Sequence, residues 1–335
     1  MERDAGLRRM KPMLLHYYIT NRCNSRCSFC TIWTETPKSD AQTTDVINNL
    51  YLARKSGCRF VDFTGGEPLL HPELPLFLDK AKKLGFITSV TTNCILFPDR
   101  VPELAGKIDL LHFSIDADTA EQHDSIRGCT SFDRVLESIP LALNNRLVPD
   151  LLFTYTDENI DSLEGVIHIA RKNRLIVILD PVFTTDSADT VSEITHQKAH
   201  RYSRRAGVYL NKAHLSLRAK GGNRQTKPLC RSVTSTIVIS PDNQRLLPCF
   251  HHRTEFISLA TAPLLSEGHE QAAAVIGKKQ GTYLFCEGCH INCYFDPSYN
   301  YLPNLLFFQS LKAKLAYIIM KYFIYGHFRS FLRLY

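Results

Sequence analysis

HYYITNRCNSRCSFC, residues 16–30, joins a strand signal to a chemical one. The run HYYIT (16–20) is aromatic and β-branched, as a buried strand requires, and it leads directly into a loop carrying Cys23, Cys27 and Cys30. Five further runs repeat the strand signal: FVDFT (60–64), FITSVTT (86–92), LLHFSID (110–116), DLLFTYT (150–156) and IVILDPVF (176–183). Helical patterns separate them, among them DVINNLYLARKSG ending at Gly57, LPLFLDKAKKLG ending at Gly85 and SFDRVLESIPLALNN opening on a Ser131 cap. A succession of βα units implies a parallel sheet with right-handed crossovers. The fold class is therefore α/β, either a partial (β/α)6 TIM-like barrel or an open doubly wound sheet. Both place their chemistry on loops after the C-terminal ends of strands, which is where the cysteine triplet lies.

Three thiolates on one short loop can wrap a cubane iron–sulfur cluster and leave one iron without a protein ligand, so that the iron becomes a binding site. A zinc site would need a remote histidine or cysteine to close it. The N-terminal MERDAGLRRMKPM has Glu2 and Asp4 and no apolar run of signal-peptide length, which points to a cytoplasmic chain. In a reducing compartment the 11 cysteines are expected as metal ligands and core thiols rather than disulfides.

CNSRCSFC resembles the CxxxCxφC signature of the radical S-adenosylmethionine (radical SAM) enzymes, with Phe29 at the aromatic position. The resemblance covers residues 14–185 and implies a 4Fe-4S cluster on Cys23, Cys27 and Cys30. It further implies SAM chelated at the open iron, cleavage to methionine and a 5′-deoxyadenosyl radical, and an electron donor such as flavodoxin or ferredoxin. SAM contacts are implied for Gly65, Gly66 and Glu67 in FTGGEPLL, Asn93 in TTN, Ser114 and Asp116 in FSIDA, and Arg127 in HDSIRG. Cys94 departs from the pattern, because the family usually has glycine after this asparagine. Arg127 could instead form a surface ion pair with Asp124.

Residues 186–229 form a basic linker or helical segment, with ten lysines and arginines and no acidic residue between Ile194 and Arg231. Such a run is either a solvated face or an attractor of anions. Residues 230–296 hold Cys230, Cys249, Cys286, Cys289 and Cys293 and resemble the SPASM or twitch auxiliary-cluster extension. In SPDNQRLLPC, Asn243 replaces a glycine of that pattern. The resemblance implies a second 4Fe-4S cluster on Cys230, Cys249, Cys286 and either Cys289 or Cys293, a spacing shared with zinc sites. Cys58, Cys94 and Cys129 are expected as core thiols.

Residues 297–335 are apolar and basic, with Lys312, Lys314, Lys321, Arg329 and Arg333 and no acidic residue after Asp296. The lysines argue against a membrane span and for an interfacial helix whose lysines reach towards anionic head groups, giving peripheral contact at the inner membrane face. These features together suggest a hydrophobic small-molecule substrate, with oxidation of a tetrapyrrole side chain as the favoured example and an isoprenoid lipid beside it. A ribosomal-peptide maturase and an RNA-modifying enzyme are the alternatives, although no added RNA-binding module is present and nucleic acid is not an expected partner.

Overall fold

The computed structural model describes residues 11–185 and 189–328. All six expected strands form: β1 (Leu14–Thr20), β2 (Phe60–Gly65), β3 (Ile87–Thr92), β4 (Leu110–Ser114), β5 (Pro149–Tyr155) and β6 (Val177–Pro181). Each pairs in parallel with the next in chain order. A doubly wound sheet would reverse its strand order at a switch point, so this unbroken order is that of a barrel.

Short β7 (Val208–Tyr209) extends the sheet beyond β6. At the other edge β8 (Thr236–Ile239) pairs in parallel with β1, and β9 (Gln244–Leu247) and β10 (Glu255–Ser258) continue antiparallel from it. The ten strands make one open sheet in the order β10-β9-β8-β1-β2-β3-β4-β5-β6-β7, and it does not close. The cysteine-rich extension is thus joined to the barrel by strand pairing.

Alternation along the strands sorts the side chains. Leu15, Tyr17, Ile19, Val61, Phe63, Val90, Leu111, Phe113, Leu151 and Phe153 pack into the main core. The alternate positions on the opposite, lumenal face are mixed: His16, Asp62, Ser89, His112 and Asp150 share it with Leu14, Phe60, Ile87, Leu110 and Leu152. His16 Nδ1 lies 3.1 Å from Asp62 Oδ2, and His112 Nδ1 lies 3.6 Å from Asp150 Oδ2.

The C-terminal helix Leu305–Ile318 and the π-helical turn Ile319–Ile324 that continues it close the base of this lumen. Lys321 Nζ donates to Asp150 Oδ2 at 2.8 Å, and the Tyr317 hydroxyl donates to the same oxygen at 2.7 Å. Lys321 is 1% exposed and Asp150 0%, so the pair is a buried charge plug under β5. This corrects the expectation that the tail lysines reach outward: Lys321 faces inward, and Lys314 pairs with Asp296 at 2.8 Å. Lys312 is exposed, and Arg329 and Arg333 lie outside the described residues. Among the described residues, no helix is long and apolar enough to cross a membrane.

One local expectation holds and one changes. Gly57 and Gly85 do end their helices in the left-handed region, at φ 118° and 78°. Ser131 stands at the N-cap position, but its hydroxyl does not cap the helix; it meets His123 Nε2 at 3.1 Å. Asp124 caps instead, its Oδ1 accepting from the amides of Ser131 and Phe132 at 2.9 Å each.

Candidate active site

The loop after β1 is held from two sides. From the helix Ala120–Arg127, the carbonyls of Arg127 and Ile126 accept from the amides of Arg26 and Ser28 at 2.9 and 3.0 Å. From the turn after β2, the amides of Gly66 and Glu67 donate to the carbonyls of Thr20 and Arg22 at 2.9 and 2.8 Å. A Cβ on Gly65 would stand 2.0 Å from the Thr20 carbonyl oxygen, and one on Gly66 2.0 Å from that of Arg22. Both glycines therefore admit the cysteine loop itself, and the close approach is between two parts of the chain.

Glu67 is 2% exposed and its carboxylate is filled by the protein. One oxygen accepts from the Leu69 amide at 3.0 Å and the Thr92 hydroxyl at 2.8 Å, and the other from the Asn93 amide at 2.8 Å. Its place is a brace between the ends of β2 and β3. Asn93 continues the brace, its side-chain amide donating to Asn24 Oδ1 at 2.7 Å and Ser25 Oγ at 2.8 Å. Cys94 takes φ 68°, so it occupies the left-handed backbone that a glycine would adopt there. Asn243 does the same at φ 56°, and asparagine tolerates that region well. Both residues thus take the left-handed backbone that a glycine would adopt there.

Arg127 is buried, so the surface pair with Asp124 does not form. Its guanidinium meets Asp116 Oδ2 at 2.5 Å, lies 3.6 Å from Cys27 Sγ and stands over the Phe29 ring at 5.6 Å from its centroid. Asp116 also accepts from the Thr154 amide at 2.9 Å, and Ser114 lies 6% exposed beside it at the end of β4. The structure thus gathers Phe29, Glu67, Asn93, Ser114, Asp116 and Arg127 around the cysteine loop. Ser25 and Asn24 belong to the same network and were not foreseen; their position between Cys23 and Cys27 was the available signal.

The three thiols form one electrostatic group. Burial pushes Cys23 up to about 11, and the charges of Cys27 and Cys30 act in the same direction. Burial also raises Cys27 and Cys30, opposed in each case by Arg127. The residues fit an iron–sulfur cluster: soft thiol donors, free of disulfides, around a loop whose backbone is fixed on both sides.

Cys230, Cys249, Cys286 and Cys289 form a second group, lining one cavity walled by Ile291, Tyr294 and Phe295. Cys289 feels the charges of the other three, and burial pushes Cys249 up to about 12 and Cys286 up to about 11. Cys293 does not line this cavity. Its sulfur lies 3.9 Å from His251 Nε2, and it feels the charges of Cys249, Asp180 and Cys289. Cys58 and Cys94 are core thiols, each 0% exposed, whereas Cys129 is partly exposed and lies 3.2 Å from Ser25 Oγ of the cysteine loop.

Residues 17–170 match the model of the radical SAM superfamily. The chain carries a radical SAM domain. It is accordingly an enzyme that works with SAM and a 4Fe-4S cluster. Among solved structures, the chain is similar to Streptococcus suis SuiB bound to S-adenosylmethionine, with a TM-score of 0.67 and 16% identity over 86% of this chain and 76% of that one. It is also similar to anSMEcpe with bound AdoMet, with a TM-score of 0.59 and 13% identity over 96% and 98% of the two chains. At these identities the likeness establishes the fold.

The curated relatives include the probable GTP 3′,8-cyclase of Saccharolobus solfataricus, 35% identical over 141 residues, or 40% of this chain and 45% of that one. The GTP 3′,8-cyclase of Clostridium acetobutylicum is 31% identical over 163 residues, or 45% and 49%. The chain spans about half the length of these relatives.

They overturn the expected hydrophobic substrate, whether tetrapyrrole or isoprenoid, because they are named for a nucleotide. The apolar tail, which suggested such a substrate, lies on the outside of the barrel.

Proposed function

We propose that this radical SAM enzyme acts on a polar, nucleotide-type substrate held in the barrel lumen, with GTP the first compound to test. The polar lumenal face carries this reading, and the GTP-named relatives that match the barrel support it. His16 and Asp62 pair with each other and keep 13% and 20% of their side chains exposed, which leaves a polar surface for a purine base to meet.

In this reading residues 14–185 are the catalytic core, 186–229 a basic connecting segment, 230–296 a twitch-like extension and 297–335 a basic, apolar tail, of which residues 305–324 close the base of the barrel. Cys23, Cys27 and Cys30 hold the first cluster. When bound there, that cluster supplies the electron that splits SAM into methionine and a 5′-deoxyadenosyl radical. Gly65 and Gly66 let the turn after β2 dock on the cysteine loop. Glu67 and Asn93 position that loop, while Ser114 and the Asp116–Arg127 pair, with Phe29, shape the wall beside it.

The second cluster sits on Cys230, Cys249, Cys286 and Cys289, which share a cavity that excludes Cys293. An anaerobically reconstituted chain is then expected to hold about eight irons, Cys289→Ala about four and Cys293→Ala about eight. Iron and sulfide analysis checks this; loss of four irons in Cys293→Ala alone would reverse the assignment.

The substrate reading is tested by adding GTP, ATP, CTP or UTP to reconstituted enzyme with SAM and dithionite and following 5′-deoxyadenosine. GTP is expected to raise its formation at least about tenfold over the substrate-free rate. The same rate with and without every nucleotide would end the nucleotide reading.

A further inference from the structure

The exposed large apolar side chains are concentrated on the C-terminal helix and its continuation. Leu305, Phe308, Leu311, Leu315 and Ile319 follow one another at steps of three or four residues and are 40–62% exposed. At that spacing they form one stripe along the helix. The inward face carries Leu306, Ser310, Tyr317 and Lys321, so the stripe is the face left over after the helix has closed the barrel.

Beside the stripe runs a groove of about 560 Å³ between this helix and the segment Ser203–Lys212. Its walls include Ile176, Tyr209, Ala313, Ala316 and Met320. Arg204, Lys212 and Lys312 are exposed on the same groove, while Arg205 pairs with Glu164 at 2.5 Å. These cations belong to the stretch that has no acidic residue from Ile194 to Arg231, together with a tail that has none after Asp296. An apolar stripe bordered by a cationic, apolar-walled groove is complementary to a surface that is negative at its head groups and hydrocarbon beneath them.

We propose that this face docks on an anionic phospholipid bilayer, with the stripe entering the acyl boundary and one lipid phosphate held by Arg204, Lys212 and Lys312. The proposal is independent of the substrate, because the stripe and the lumen lie on opposite sides of the tail helix. It also explains a helix that is apolar on its outer face while its two inward lysines are consumed by ion pairs.

The test is sedimentation of the full chain with vesicles of phosphatidylglycerol and phosphatidylcholine, against vesicles of phosphatidylcholine alone. Binding to the anionic vesicles is expected, with release as salt is raised. The triple variant Arg204→Glu, Lys212→Glu, Lys312→Glu should weaken it at least about a hundredfold, since each cation near such a surface contributes about fivefold. Leu315→Glu with Ile319→Glu should abolish it. Both variants change exposed positions, so unchanged circular dichroism and iron content verify that the barrel is intact. Equal sedimentation of parent and both variants, or no binding by the parent, overturns the proposal. So does a parent that is dimeric in solution while Leu315→Glu with Ile319→Glu is monomeric, which would assign the stripe to a second copy of the chain.

Discussion

Alanine at Cys23, Cys27 or Cys30 is expected to reduce SAM-derived 5′-deoxyadenosine to the enzyme-free background, in each variant separately. The loss should exceed the roughly 10–100-fold typical of residues that only support metal ligands, because a cluster ligand itself is removed. The three thiols are equivalent in the geometry: each is buried or half-buried on a loop fixed by the helix Ala120–Arg127 and by the turn after β2. Cys129 lies against Ser25 of the same loop and is the thiol to watch as a substitute for a lost sulfur. The measurement is anaerobic turnover followed by chromatography, with iron analysis alongside it. About four irons of the second cluster should persist in each variant, which separates loss of one site from loss of the fold. Retained deoxyadenosine formation in any one variant contradicts the assignment.

Lys321→Met is expected to destabilise the chain by about 3–5 kcal/mol, the usual consequence of leaving a buried charge without its partner. Asp150 would keep the Tyr317 hydroxyl but lose the ammonium 2.8 Å away, in a site that is fully buried. Burial drives the neighbouring His112 below the ordinary imidazole range, so it is a poor replacement cation. Changing both partners, Lys321→Met with Asp150→Asn, should recover most of the loss, since the uncompensated carboxylate is then gone. Denaturant unfolding of the single and double variants measures both effects. Equal stability of parent and Lys321→Met would show that the tail does not close the barrel. The same geometry implies that deleting residues 305–335 removes the base of the lumen, so point changes on the outer face are the sound way to probe the tail.

How far the sequence disclosed this arrangement varied with the kind of signal. The six strands were legible because each is a short apolar run that must be buried on at least one face, and such runs have few other uses in a βα succession. The cysteine loop was legible from spacing alone. Arg127 was named as a candidate contact from the resemblance, with a surface pair to Asp124 as the alternative, and its burial against Asp116 and Cys27 rules out that surface pair. Glu67 was foreseen at the site, but its bracing of β2 against β3 was not, because its hydrogen bonds come from Thr92 and Asn93, about 25 residues away. Lys321 was misread for a related reason. A lysine in an apolar helix suggests an outer polar face, and only the position of Asp150, 171 residues earlier, turns it inward. The choice between Cys289 and Cys293 was not legible because it rests on tertiary packing: Cys289, before the helix Asn292–Tyr299, lines the cavity shared by Cys230, Cys249 and Cys286, whereas Cys293, in the first turn of that helix, does not. The substrate class was misjudged because an apolar tail was taken as a clue to the lumen, although the two lie on opposite sides of one helix.

Deuterium transfer from GTP tests the central claim most directly. Joining C3′ to C8 of a guanine nucleotide requires breaking the C3′–H bond, and the lumen proposed here would present that carbon to the 5′-deoxyadenosyl radical. With GTP deuterated at C3′, the account predicts 5′-deoxyadenosine one mass unit heavier, formed with the nucleotide product by the parent chain and absent in Cys27→Ala. Deoxyadenosine that carries no deuterium, formed at the same rate with and without GTP, would contradict a nucleotide substrate while leaving the cluster assignment to be judged by the cysteine variants.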